Sequence, residues 1–267
     1  MNTNTGLLLS VALILGAYFP AAAADSWRVE VSGLRVVAAP PAGSKDDSHG
    51  AFFQAPGVTV VATLTPPAGN IVSIKQSDSK LDSFTDDKGT DLLAVKSGNP
   101  FNRAGFGVMD SKGAYATVEL QVAGLPAKGA TTLNIIGKVG LQTASQTNQF
   151  TVENLEVKTN TAFTLGDLPV VISNVGTNRN PWMAKEYKYS ITFSSPRDLE
   201  SISSLEFFDG QGKKIEARKS SWGGGFMGYM MEYNIKQNVD HVKLVATCWQ
   251  DLKTVEVPLA IKTGLGL

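Results

Sequence analysis

Apolar and polar residues alternate in short runs along most of the chain, and the runs end at Gly, Pro, Asn or Asp. Val58 to Thr65, Tyr115 to Val122 and Thr132 to Val139 carry the pattern most cleanly. A period of two sends every second side chain to the same face, so each run is a predicted strand with one face toward a core. Trp27 to Val31 and Leu34 to Ala38 read as two further strands broken at Ser32 and Gly33, and Ile71 to Lys75 as another. Beyond the first 24 residues no window of about 11–18 residues keeps the 3.6-residue apolar spacing of a helix. The expectation is an all-β protein built of antiparallel sheets packed as sandwiches.

One stretch occurs twice. Phe84, Asp86, Gly89, Leu92, Ala94, Lys96 and Ser97 recur with the same spacing as Phe207, Asp209, Gly212, Ile215, Ala217, Lys219 and Ser220. Each copy reads as a strand that reaches Phe, a turn cornered by Asp and Gly, and a strand leading away. Glu119 to Val122 resembles Glu232 to Ile235 in the same way, Trp27, Val29 and Glu30 resemble Phe150, Val152 and Glu153, and Ala51 to Leu64 resembles Ala162 to Val175. Self-similarity on this scale implies two tandem immunoglobulin-like antiparallel β-sandwich domains related by internal duplication. The domains would span residues 25–148 and 149–267, and the Gln-, Thr- and Ser-rich stretch Gln142 to Gln149 reads as their linker.

Residues 1–24 hold no charged side chain and run from a polar start through an apolar core to Ala21 to Ala24. That is the build of a signal peptide cleaved before Asp25, too short in its apolar part for the roughly 20 residues of a membrane span. An exported protein is therefore expected, in the periplasm, at the cell surface or outside the cell, with no membrane insertion after cleavage. The single Cys248 excludes an internal disulfide and shares an apolar period-two face with Leu244 and Ala246, as a buried small hydrophobe does. Lys plus Arg equals Asp plus Glu at 24 each, which gives no basic surface for nucleic acid.

Candidate chemistry is sparse. His49 and His241 fall in no metal-ligand or triad spacing, so no catalytic residue, cofactor or resident metal is expected. Asp82, Asp86, Asp87 and Asp91 are dense enough in hard oxygen ligands to raise calcium as a lesser alternative to a solvated turn. The most distinctive composition is Ser221 to Met231, where Gly, Met and aromatics mix; Trp222, Phe226 and Tyr229 are candidates for stacking on a sugar or anchoring a protein. Phe101, Arg103 and Phe106, which follow the first hairpin, are the matching candidates. The same aromatics could equally fold back over the core. These observations favour a non-catalytic exported module that binds protein or forms part of the envelope. A carbohydrate-binding module using Trp222 to Tyr229 and a hydrolase with loop-borne carboxylates are the alternatives.

Overall fold

The computed structural model describes residues 26–38, 55–95, 100–101, 107–110, 112–178, 182–225 and 228–266. Its regular elements are all strands. In chain order the first six are β1 (Arg28–Val37), β2 (Gly57–Thr65), β3 (Asn70–Asp86), β4 (Gly107–Met109), β5 (Ala116–Val122) and β6 (Thr132–Ala144). Then come β7 (Gln146–Glu156), β8 (Ala162–Leu165), β9 (Leu168–Thr177), β10 (Tyr189–Ser195) and β11 (Ile202–Phe208). The chain closes with β12 (Lys214–Ile215), β13 (Ala217–Gly225), β14 (Gly228–Ile235), β15 (His241–Gln250) and β16 (Lys253–Gly264). The expected signal segment lies outside the described residues.

The strands form four antiparallel sheets. Their orders are β1-β2-β5-β4, β16-β6-β3, β13-β14-β10-β9-β8 and β12-β11-β15-β7. Two separate hydrophobic cores follow from the alternation. Val58, Val60, Ala62 and Leu64 of β2 and Val118 and Leu120 of β5 are fully buried against Leu133 and Ile135 of β6. Ile172, Phe193, Phe207, Leu244 and Ala246 build the second core, with Cys248 beside them as the sequence implied. Burial pushes the Cys248 thiol up to about 11, which keeps it protonated and unreactive. Phe193, Phe207 and Tyr233 form an aromatic cluster across the two sheets of this second sandwich, with Phe207 and Tyr233 centroids 5.5 Å apart.

Two expectations about β1 and the linker change. The break at Ser32 and Gly33 is a bulge inside one strand, since the register against β2 slips between Val31 and Gly33 and pairing resumes at Val61. More consequential is Gln142 to Gln149, which is strand on both sides of Ser145. Here β6 pairs with β16 from Thr132↔Gly264 to Thr143↔Lys253, and β7 pairs with β15 from Gln146↔Gln250 onward. The register does not shift at the junction, so residues 132–156 and 241–264 form one long two-stranded ribbon that runs from the first sandwich into the second. Its midpoint is clasped by Asp251, at φ 54°, whose Oδ2 accepts from Ser145 Oγ at 3.1 Å and Gln146 Nε2 at 2.6 Å. Polar composition misled because backbone pairing, not side-chain burial, holds this crossing.

The ribbon also carries the last strand into the first core. Val257, Leu259, Ile261 and Leu265 lie in the first core, although the expected division at residue 149 assigns them to the second unit. The physical reason is the register: a chain that reaches Leu252 beside Ala144 continues along β6 rather than turning back on β15. A further tie between the sandwiches is Glu200, whose Oε2 accepts from Ser73 Oγ at 2.9 Å and from Lys75 Nζ.

Candidate functional site

The repeated Asp turn is structural in both copies. Asp86 Oδ1 accepts from the backbone N–H of Lys88 at 2.9 Å and Thr90 at 2.8 Å, and Asp209 Oδ1 accepts from Gln211 and Lys213, each at 2.9 Å. Gly89 and Gly212 stand at φ 84° and 77°, the left-handed corner that the Asp-x-x-Gly spacing requires. Asp86 is 3% exposed and its second oxygen also accepts from Ala127 N at 2.7 Å, so it pins a neighbouring loop. Burial pushes its carboxyl up, but the N–H groups of Ala127, Thr90 and Lys88 outweigh that and hold it below the ordinary range.

The calcium candidates are engaged elsewhere. Asp87 accepts from Thr131 Oγ1 and Thr131 N, Asp91 accepts from Leu93 N, and Asp82 pairs with Lys80 at 2.5 Å. Among the described residues no three His, Cys, Asp or Glu side chains gather as a metal site. The Thr131 hydroxyl and backbone, working against burial, hold Asp87 down at about 2. Its contribution to stability is therefore complete above about pH 4 and lost as pH falls toward about 2. Replacing Asp87 by Asn should flatten that part of a Tm-against-pH curve, and a parallel curve for the variant would contradict it.

The aromatic candidates separate. Phe101 is 1% exposed and belongs to the first core, so it is no contact residue; its carbonyl accepts from Gln76 Nε2. Arg103, Phe106 and Phe226 lie outside the described residues. Trp222 sits on β13 opposite Met231, and residues 221–225 and 228–231 are paired strand. Tyr229 packs against the second core and lies across Gly224, where a Cβ would come within 2.8 Å of the ring. The ring is half-buried, between the second core and the β13 backbone.

What the sequence did not single out is the outer face of sheet β13-β14-β10-β9. Two cross-strand rows run over it. One is Asn174, Thr192, Glu232 and Ser221, and the other is Gly176, Ser190, Asn234 and Arg218. Asn174, Thr192, Glu232, Ser221, Ser190 and Asn234 of these rows, with Thr177, Asn178 and Ser220, line an open groove of about 510 Å³ whose lining is almost wholly amide and hydroxyl.

The polar groups of the groove are short and held. Ser221 Oγ lies 3.2 Å from Glu232 Oε2 and donates to it, while Asn178 Nδ2 donates to the Tyr187 carbonyl at 2.9 Å. Asn234 is 1% exposed, and its Nδ2 donates to the Met183 sulfur at 3.6 Å. Its Oδ1 is buried with no hydrogen-bond partner among the described residues. Met183 belongs to the turn at residues 182–186, which also carries Trp182, 90% exposed. The alternation of Ser190, Thr192 and Ser194 was visible in the sequence, but every outward sandwich face alternates in that way.

Comparison with family models finds no match for this chain, and comparison with curated proteins finds none either.

Proposed function

We propose that this chain is exported and acts, without catalysis, as a binding component of the cell envelope, built from two immunoglobulin-like sandwiches that arose by duplication. The duplication reading is supported by sheet order: β9-β10-β14-β13 follows the plan of β1-β2-β5-β4, and β11-β15 that of β3-β6. The short β11·β12 pair matches the Thr85↔Asp91 bridge after β3, and both sit behind the same Asp turn. In this reading β7 and β16 are equivalent edge strands that have changed places between the sandwiches. That corrects two of the sequence matches, since β1 then corresponds to β9 and not to β7, and β2 to β10 and not to β9.

The observation that carries the functional reading is the groove. Glu232 is the one ionisable side chain in its lining, with no second carboxylate or histidine there to complete an acid–base pair, and Arg218 stands opposite Asn234 on β13 outside the lining. Short hydroxyls and amides on a rigid sheet bind a polar ligand without transforming it. Sedimentation of the purified chain with isolated envelope tests this. Binding that survives protease treatment of the envelope but not glycosidase treatment identifies a glycan partner, and the reverse identifies a protein. Failure to sediment with any envelope fraction would refute the envelope role.

A further inference from the structure

We infer that the groove on the outer face of β13-β14-β10-β9 binds a neutral saccharide, an inference that rests on the binding role proposed above and names the ligand class of its site. Hydroxyl and amide side chains both donate and accept, and so do the hydroxyls around a sugar ring; the match is one of chemistry before shape. Thr192 and Ser190 bring hydroxyls to adjacent rows of one strand, and Asn174 and Asn234 bring amides to the strands on either side. These side chains are short, so little rotamer entropy is lost when a ligand fixes them.

Charge narrows the class further. Glu232, in the middle of its row, opposes a uronate or phosphate, while its bond from Ser221 directs the hydroxyl proton toward the carboxylate and leaves the Ser221 oxygen free to act as an acceptor. An acidic sugar would have to bind beside that charge with no cation in the groove lining. The volume of about 510 Å³ falls inside the range of about 300–1,000 Å³ typical of small-ligand sites.

A second, independent observation points to something absent from the chain itself. Buried polar groups are nearly always partnered, yet the Asn234 carbonyl oxygen, on the groove floor, has no donor among the described residues. A donor from outside the chain would complete it once the amide turns toward the groove that Asn234 lines. Trp182, 90% exposed, is on the same turn as Met183, which touches Asn234, and indole against the C–H face of a pyranose is the usual complement to such hydrogen bonds.

The test is calorimetric titration of the full chain, purified after export, with neutral gluco-, xylo-, manno- and N-acetylglucosamine oligosaccharides, and with oligogalacturonate as the anionic control. At least one neutral series should bind with Kd between about 10 μM and 1 mM. Thr192→Tyr, which fills the groove from an outward-facing and half-buried position, should weaken that binding at least tenfold, and Trp182→Ala about three- to tenfold, with Tm unchanged. Ser221→Tyr serves as a second blocking variant should Thr192→Tyr lower Tm. Absence of binding by all four neutral series at 10 mM, preference for oligogalacturonate, or equal affinity in both blocking variants would overturn the inference. Envelope sedimentation that persists in the blocking variants would remove the saccharide site while leaving the envelope role standing.

Discussion

Truncation of the chain before Lys253 should unfold the first sandwich, although the residues removed lie more than a hundred positions from it in sequence. Val257, Leu259, Ile261 and Leu265 would be withdrawn from the first core, where none is more than 7% exposed. Four such side chains, at about 1.5–3 kcal/mol each, amount to roughly 6–12 kcal/mol, which is comparable to the whole stability of an ordinary domain. The lost pairing also leaves β6 with β3 as its one remaining neighbour from Thr132 to Thr143. Hydrogen exchange should show β2 and β5 unprotected in the truncated chain, and a synthetic peptide of residues 253–267 added in trans should restore them. Native-like protection of β2 and β5 without the peptide would show that β16 is dispensable and that the ribbon does not join the two units.

The second large effect is expected at Phe207. It is 1% exposed, stacked on Phe193 at 6.2 Å and tilted against Tyr233. Cutting it to Ala leaves a cavity where three rings met, at a cost of about 3–5 kcal/mol. The ribbon makes the consequence wider than the second core. Since β15 continues into β16 through two residues, loosening the second sandwich frees the strand on which the first depends. Phe207→Ala should therefore lower the denaturant midpoint reported by both sandwiches, read from exchange protection in β11 and in β5 separately. A shift confined to β11 would mean that the ribbon passes no stability between them.

The strands were legible because each sandwich strand buries one face, and that writes a period of two into Val58 to Thr65 and Thr132 to Val139. Turn chemistry was equally legible, since Asp86 with Gly89 and Asp209 with Gly212 satisfy local backbone groups within a few residues. Partner choice was not. Nothing in the composition of β16 distinguishes pairing with β6 from a hairpin with β15, because both offer an alternating apolar face, and register over a distance is decided by the assembled sheet. The same limit explains Phe101, which has the composition of a contact residue and the position of a core one. The groove escaped because its rows are read across four strands, joining Asn174, Thr192, Glu232 and Ser221, and no window along the chain contains them together.

Ser145 is the only residue between β6 and β7, and Asp251 and Leu252 are the only two between β15 and β16. A protease that clipped the backbone at Ser145 would not release either lobe, because the C-terminal fragment would still supply β16 as an edge strand of the first sandwich, and a cut at Asp251 would leave the lobes joined through Ser145. Two pieces should co-elute under native conditions and part only in denaturant. The molecule thus behaves less like beads on a string than like a clasp, in which severing one strap leaves the buckle closed.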